Sequence, residues 1–269
     1  MEPRLYVEGQ WRAGETIDLP EGATRHAQVL RLRPGDALAL FNGAGGEFAG
    51  TVFSVSRSKI QVRIDCWKNI ERESPLAITL AQGISSGEKM DFTVQKAVEL
   101  GVAVIQPLLC EKSVVRLDAK RAAAKAVHWR RIAIAACEQC GRNRIPEIFE
   151  PLEVGRYRPG KDSMCLLLSP SDGKSFKDVL ETTKGPVCIV AGPEAGLSES
   201  EIAILKTRGF ASVSLGPRVL RTETAALAAL AALNALRGDF SPAARRSAGC
   251  PSGVQCRARC APRRRAPRD

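Results

Sequence analysis

Residues 213–224 read VSLGPRVLRTET, and an alanine- and leucine-rich run, AALAALAALNAL, occupies residues 225–236. The pattern predicts a short buried strand, a compact loop and an apolar helix. A loop between two buried elements needs little charge, yet this one carries Arg218, Arg221 and Glu223. We therefore expect the loop to be part of a functional site.

Outward from this stretch, strand and helix patterns alternate through the second part of the chain. Predicted strands lie at 76–84, 102–110, 164–170, 186–196 and 210–216, and predicted helices at 87–101, 119–141, 175–183, 198–209 and 225–236. Ser198 with Glu201 three residues later forms a capping box at the start of one helix. The alternation predicts an α/β domain with a mostly parallel sheet covered on both faces.

The beginning of the chain has a different pattern. Short apolar runs at 36–43, 46–56 and 58–67 are separated by turn residues, and one helix is predicted at 21–32. This pattern predicts a small β-barrel. The polar stretch NIERESP at 69–75 marks the boundary, so we expect a first domain at 1–72 and a second at 73–240.

The formal charge of +11 is unevenly distributed. Residues 241–269 hold eight arginines and one aspartate, a net charge of +7, which leaves +4 for the rest. This tail lacks apolar periodicity and is expected to be disordered. It either binds RNA without sequence preference or is an accidental extension, and we favour the second interpretation. A polar start and the lack of a long apolar run favour a cytoplasmic protein with no membrane span.

Three predicted strands end in loops suited to a ligand. These are LLLSP at 166–170, IVAGPEAGLSESE at 189–201 and the opening stretch at 213–224. The carboxyl ends of parallel strands meet at one edge of a sheet, so the loops are expected to line one rim. The dinucleotide-binding motif G-x-G-x-x-G does not occur, and neither does the nucleoside triphosphate motif G-x-x-x-x-G-K-[ST]. Their absence argues against both kinds of site. Alternatively, GPEAG is only a tight turn and a helix start.

The motifs form an ordered set: RHAQVLRLRPGD at 25–36, QKAVELGV at 95–102, EKSV at 111–114, EQCGR at 138–142, AGPEAGLSESE at 191–201 and LGPRVLRTETA at 215–225. The set resembles the SPOUT-class RNA methyltransferases, more closely the enzymes that methylate N3 of a uridine in small-subunit (16S) ribosomal RNA. The resemblance implies a PUA-like barrel, a second domain threaded as a trefoil knot, S-adenosylmethionine as methyl donor, and a homodimer.

The resemblance also implies site residues. The donor-binding residues would be Leu168, Gly192, Pro193, Glu194, Gly196, Leu215, Gly216, Val219 and Leu220. The family commonly has glycine where Ala195 stands here, and alanine adopts a positive φ poorly, so loop conformation and donor affinity are open at this position.

The chemistry requires stabilisation of a uridine that has lost its N3 proton. Arg221 is the candidate for stabilising that charge, and Arg218 for gripping a phosphate. Glu194 or Glu223 is the candidate proton acceptor, or either only orients an arginine or caps a helix. Alternatively, Arg221 and Glu223 form a structural salt bridge.

Basic and polar residues elsewhere are candidates for contacts with RNA. The set is Arg4, Arg25, His26, Arg31, Arg33, Gln139 and Arg142, with an ordinary solvated surface as the alternative for each. Cys137 and Cys140 form a single C-x-x-C late in a helix, so no metal is expected.

The sequence leaves two alternative functions. A non-catalytic RNA-binding protein with a degenerate donor pocket is the main alternative, and a Rossmann-type small-molecule enzyme is the second. The intact LGPRVLRTE motif disfavours the first, and the missing glycine fingerprint disfavours the second.

Overall fold

The computed structural model describes residues 2–170, 173–181 and 185–240. The expected disorder of the tail at 241–269 therefore lies outside the described residues. Within them, the fold consists of two regions, each built around its own sheet.

The first region is a mixed sheet that packs against one helix. Its elements are β1 (Arg4–Tyr6), β2 (Thr16–Asp18), α1 (Glu21–Val29), β3 (Ala37–Phe41), β4 (Glu47–Val55) and β5 (Ile60–Lys68). The described strands follow the order β1-β3-β4-β5-β2. β3 and β4 pair antiparallel on either side of the glycine-rich 42–46 segment. Ala23 and Ala27 of α1 share a buried core with the strand residues Leu38 and Val62.

The second region is the predicted α/β domain. Its elements are β6 (Ile78–Gly83), α2 (Glu88–Glu99), β7 (Val104–Leu109), α3 (Ala119–Cys140), β8 (Glu147–Ile148), β9 (Leu152–Glu153), β10 (Met164–Leu168), β11 (Lys174–Ser175), α4 (Phe176–Glu181), β12 (Val187–Ala191), α5 (Glu199–Thr207), β13 (Ala211–Ser214) and α6 (Thr222–Arg237). The described strands run β11-β13-β10-β12-β6-β7-β8, and β9 also pairs with β7.

All described pairings in this sheet are parallel, which confirms the predicted sheet type. The two-residue strands β8, β9 and β11 were not predicted, because a segment of two residues is too short to show a period. The trefoil knot and the boundary near residue 72 stay predictions.

Alternate residues of the central strand β12 contribute to different cores. Val187, Ile189 and Ala191 pack in the cluster that includes residues of α2, α3 and α6. Cys188 and Val190 pack in a second cluster that includes Leu205 of α5. Both sides of the strand are buried, which explains its unbroken apolar sequence.

On one side of the sheet, α2 packs against both α3 and α6. None of the helices in the described part of the chain combines the length and the apolar character needed to cross a membrane.

Candidate active site

The three loops predicted to share a rim converge on one large cavity. It lies beyond the carboxyl ends of the neighbouring strands β13, β10 and β12 and has a volume of about 780 Å³. That volume is typical of small-molecule sites, which span roughly 300–1,000 Å³. We call it the three-loop cavity. Its lining includes all the residues predicted to bind the donor: Leu168, Gly192, Pro193, Glu194, Gly196, Leu215, Gly216, Val219 and Leu220.

The charged residues of the opening stretch also line the three-loop cavity. Arg218 and Arg221 are exposed, and neither has a carboxylate within 4.0 Å among the described residues. Arg221 is the N-cap residue of α6, so its side chain starts at the positive end of that helix. The salt bridge considered between Arg221 and Glu223 is absent from the described part of the chain.

Glu223 differs from the other acidic residue of the cavity. Its Oε2 atom is buried and has no hydrogen-bond partner among the described residues. A buried carboxylate oxygen without a partner is unfavourable unless another group satisfies it. Since Glu223 lines the three-loop cavity, a bound molecule can supply that group.

Glu194 is held in place by groups from the α2 side of the cavity. Its Oε1 accepts hydrogen bonds from the Ser86 amide at 3.0 Å, the Ser86 hydroxyl at 2.8 Å and Lys89 Nζ at 3.1 Å. Partial burial opposes ionisation. Hydrogen bonds from its own amide, from Ser86 and from Lys89 outweigh it and lower the pKa of Glu194 to about 2. Glu194 is therefore a fixed anion and a weak base.

A buried network ties the N-terminus of α6 to the 192–196 loop. Thr222 Oγ1 donates to the Gly192 carbonyl at 2.5 Å, and Gln82 Nε2 donates to Thr222 Oγ1 at 3.0 Å. These bonds join two loops of the cavity. Sequence reasoning missed Gln82 and Thr222, because the bonds Gln82–Thr222 and Thr222–Gly192 join residues 140 and 30 positions apart along the chain.

Gly83, at the end of β6, allows the same loop to approach closely. A Cβ atom there would lie 2.5 Å from both Cδ and N of Pro193, too close for any side chain without movement. Glycine is thus required by contact with the loop, since its φ is not positive. No motif in the sequence indicated this.

Gly196, and not Ala195, takes the left-handed position of the GPEAG turn. Gly196 has φ of 71°, and Ala195 is not among the described residues of positive φ. Ala195 is therefore compatible with the loop conformation, and its effect on donor affinity is a matter for calorimetry. The capping box predicted for the following helix is confirmed, because the Ser198 and Glu201 side chains each accept a hydrogen bond from the other residue's amide.

Two residues predicted to contact RNA are buried in the junction between the regions. Arg4 is 8% exposed and donates to Glu47 Oε2 and to Asn143 Oδ1, each at 2.5 Å. Arg142 is 5% exposed and forms a two-pronged contact with Glu73. Both guanidinium groups are used inside the protein, so the structure corrects these two predictions.

The remaining RNA candidates are accessible but lie outside the lining of the three-loop cavity. Arg25, Arg31, Arg33 and Gln139 are exposed, and Arg25 pairs with Glu21 at 2.7 Å. His26 is half-buried, and its Nδ1 lies 3.1 Å from Glu138 Oε2 of α3. The structure therefore leaves Arg31, Arg33 and Gln139 at the surface, whereas Arg25 and His26 each lie beside a glutamate.

The C-x-x-C cysteines have the properties of packing residues. Burial raises the pKa of the Cys137 thiol to about 12 and also raises that of Cys140. Thiols of raised pKa are poor nucleophiles and poor metal ligands at neutral pH. No group of three or more metal-ligating side chains occurs in the described part of the chain.

Two known protein domains match this chain. An RNA methyltransferase domain matches residues 72–234, and an RNA methyltransferase PUA domain matches residues 19–65. The chain therefore belongs to the RNA methyltransferase family with a PUA domain, which confirms the resemblance inferred from the motifs.

Two curated relatives share one specific protein name. A protein of Buchnera aphidicola subsp. Schizaphis graminum named ribosomal RNA small subunit methyltransferase E is 36% identical over 242 residues, 89% of this chain and 98% of the relative. The protein of that name from Bacillus subtilis is 34% identical over 224 residues, 78% of this chain and 88% of the relative.

Two solved structures share the whole fold. A methyltransferase of Legionella pneumophila in complex with S-adenosylmethionine is 42% identical with a TM-score of 0.85, covering 89% of this chain and 99% of that one. Ribosomal RNA small subunit methyltransferase E of Neisseria gonorrhoeae bound to S-adenosylmethionine is 38% identical with a TM-score of 0.84. The match covers 90% of this chain and 100% of that chain.

Proposed function

We propose that this protein transfers a methyl group from S-adenosylmethionine to N3 of a uridine in small-subunit (16S) ribosomal RNA. The observation that carries the proposal is the convergence of three strand-end loops on one cavity bordered by Arg221. The names of the relatives and the donor bound in two similar structures support the same reaction and donor.

The cavity fits the donor in shape and in charge. Leu168, Leu215 and Leu220 supply apolar walls, and Gly192 and Gly216 expose backbone groups. S-adenosylmethionine carries a positively charged sulfonium and, when bound, supplies an electrophilic methyl group. The ionised Glu194 gives the cavity negative charge that favours such a cation, and Glu223 adds an oxygen without a hydrogen-bond partner among the described residues.

The acceptor nitrogen becomes nucleophilic only after it loses its proton. Negative charge then spreads to O2 and O4 of the uracil ring, and Arg221 stabilises it together with the positive end of α6. Glu223 takes the proton, because its Oε2 has no other partner among the described residues whereas Glu194 is a weak base. The N3 lone pair forms the new bond to the methyl carbon.

Binding of the RNA uses residues at the rim and on the first region. Arg218 is exposed beside the cavity and grips a phosphate near the target base. Arg25, Arg31 and Arg33 on the first region contact phosphates farther along the strand.

The exposed side of α6 supports a homodimer. Its outward positions Ala228, Ala231 and Ala235 are at least partly exposed, and the helix has only Glu223 and Arg237 as charged residues. A solvent-facing helix usually carries charge on its outer side, so this apolar side fits burial against a second copy. We also infer that the protein works in the bacterial cytoplasm, where ribosomes are. Light scattering on the purified protein tests the dimer.

One experiment tests the reaction. The protein is incubated with S-adenosylmethionine carrying a labelled methyl group and with small ribosomal subunits from cells that lack this gene. We expect label in 16S RNA and, after digestion, in 3-methyluridine. Calorimetry with the donor separates the alternatives, because absence of binding at high donor concentration favours the non-catalytic RNA-binding protein.

A further inference from the structure

Helix α3 carries a row of basic side chains that the proposed reaction does not use. At 100° per residue, Lys120, Arg121, Lys125 and Arg131 fall within an arc of about 140°, which runs from the side opposite the buried Trp129 round to its flank. All four are exposed, and the first acidic residue within the helix is Glu138. We call these four residues the basic face.

The basic face has few internal partners. Arg121 lies 3.6 Å from Asp118, and both side chains are more than 60% exposed. Lys120, Lys125 and Arg131 have no carboxylate within 4.0 Å among the described residues. Surface helices commonly balance such charges with acidic residues three or four positions away, and of these four cations only Arg121 has such a neighbour, Asp118.

The charges also oppose the electrostatics of the helix itself. Lys120 and Arg121 lie in the first turn, where the helix dipole is positive and disfavours cations. The first turn has no acidic residue and the last turn has no basic one. An arrangement that is unfavourable for the helix alone is compensated when an external anion lies along it.

Small residues separate the cations along this side. Ala124 and Ala135 are exposed between and beyond them. Their short side chains allow a bulky anionic chain to approach the helix closely. Gln139, already a candidate for contact with RNA, is exposed on the same side, five turns after Arg121.

The two ends of α3 connect the candidate active site with the first region. Lys125 borders a small cleft with Gly87, and Lys89 in the adjoining turn of α2 lines the three-loop cavity. At the other end, Glu138 accepts a hydrogen bond from the amide of Tyr6 at 2.9 Å. The helix is about 33 Å long, enough to follow several nucleotides.

We propose that the basic face binds the phosphate backbone of RNA between the first region and the three-loop cavity. Its cations contact phosphates and read no bases, so the face contributes affinity and register without sequence preference. The proposal rests on the proposed function only for the identity of the RNA as small-subunit ribosomal RNA.

The test compares two double variants of the full chain. Lys125→Ala/Arg131→Ala removes two charges from the basic face. Arg156→Ala/Lys161→Ala removes two exposed charges from the loops around residues 155–162 and serves as the control. Binding to a fluorescent transcript of 16S ribosomal RNA is measured by anisotropy at several salt concentrations.

We expect the α3 variant to bind about tenfold more weakly at roughly 0.1 M salt and to lower the salt slope by about 1.4, as loss of two phosphate contacts predicts for single-stranded RNA. The control should match the wild type, and calorimetry should show unchanged S-adenosylmethionine affinity in both. The second pair Lys120→Ala/Arg131→Ala should repeat the loss.

Unchanged affinity and salt slope in both α3 variants would overturn the proposal, as would an equal loss in the control. If the wild type binds the transcript but transfers no methyl group to small subunits, the proposed function fails while the binding data still decide the role of α3. Circular dichroism shows that the variants are folded.

Discussion

At the residue scale, Arg221 is the side chain on which the proposed chemistry depends most. It is exposed at the N-cap of α6, lines the three-loop cavity and has no acidic partner among the described residues. An arginine held in a structural ion pair would have shown a carboxylate nearby. Its availability therefore favours a role toward a bound molecule.

Arg221→Ala should lower kcat by about 10²–10³-fold, the loss typical when a donor that stabilises a developing anion is removed. S-adenosylmethionine affinity should stay unchanged, since the guanidinium acts on the uracil. Steady-state methyl transfer and calorimetry measure the two quantities. Arg218→Ala is the comparison and should raise KM for small subunits with little change in kcat. Full activity of Arg221→Ala would remove its assigned role.

Replacing Glu194 and replacing Glu223 should have different effects on how the rate of methyl transfer depends on pH. Because the pKa of Glu194 is about 2, it does not titrate between pH 5 and 9. Glu194→Gln should therefore keep the shape of the pH–rate profile, while Glu223→Gln should lose most of the rate throughout. A pH–rate profile of Glu194→Gln that lacks the acidic limb of the wild-type profile would reverse the assignment of the proton acceptor.

The lowered pKa of Glu194 also means that its contribution to the stability of the folded protein decreases in acid. A carboxyl group whose pKa is lower in the folded state stabilises the protein above its unfolded pKa, near 4.5, and loses that contribution as pH falls toward 2. Glu194→Gln should thus be less stable than wild type at pH 7 and approach it below pH 4. Since the side chain is 33% exposed, the difference should be small in thermal unfolding.

At the element scale, the cavity depends on how closely its loops approach the ends of neighbouring strands. The 192–196 loop sits against Gly83 of β6 and is tied to α6 through Thr222. These contacts hold loops from separate parts of the sequence in one arrangement. Disturbing either should change the cavity before it changes the sheet.

Gly83→Ala should displace Pro193, because the added Cβ would lie 2.5 Å from its backbone nitrogen, which cannot rotate away. We expect S-adenosylmethionine affinity to fall about tenfold, which corresponds to about 1.4 kcal/mol. Gly22→Ala is the control, since a Cβ there meets nothing within 4 Å in helix α1. Equal donor affinity in calorimetry for Gly83→Ala and wild type would contradict this account.

Thr222→Val removes the hydroxyl that joins Gly192 and Gln82 while keeping the side-chain shape. Two buried groups then lose a partner, so the free energy of unfolding should fall by about 1–3 kcal/mol. Thr224→Val, at an exposed position of the same helix, should change it by less than about 0.5 kcal/mol. Urea unfolding of both variants measures the difference.

At the scale of the whole molecule, buried charges join the two regions. Glu47 of the first region accepts from Arg4 at 2.5 Å and from Arg72 at 3.1 Å. Burial opposes its ionisation, but the two guanidinium groups outweigh burial and lower the pKa of Glu47. Arg4 reaches onward to Asn143, so the network crosses from one region to the other.

Glu47→Gln should lower the free energy of unfolding by about 3–5 kcal/mol, because it leaves the buried Arg4 guanidinium without its counter-charge. Glu21→Gln breaks an exposed pair with Arg25 and should cost less than about 0.5 kcal/mol. Denaturant unfolding at pH 7 compares them. Acid should narrow the gap, since the ionised Glu47 stabilises the fold above its unfolded pKa and loses that effect as pH falls through its folded pKa. Similar losses for the two variants would show that the junction is not held by this network.

The sequence by itself determined the parts that depend on local pattern. The unbroken apolar run of β12 is typical of a strand buried on both sides, and the Ser198–Glu201 spacing is enough to define a helix start. The charged loop before α6 indicated a site because a loop between two buried elements needs little charge. Ordered motifs then identified the family, and the residues that the family resemblance predicts to bind the donor line the three-loop cavity.

Only the tertiary structure decided which arginines are available. Nothing in the local sequence distinguishes Arg4 and Arg142 from Arg25 and Arg31. Yet Arg4 is buried against Glu47, and Arg142 is buried against Glu73. The contacts of Gly83 with Pro193 and of Thr222 with Gln82 were equally hidden, because each joins residues more than 100 positions apart. Burial and partnership depend on where distant segments meet, and a local pattern carries no information about that.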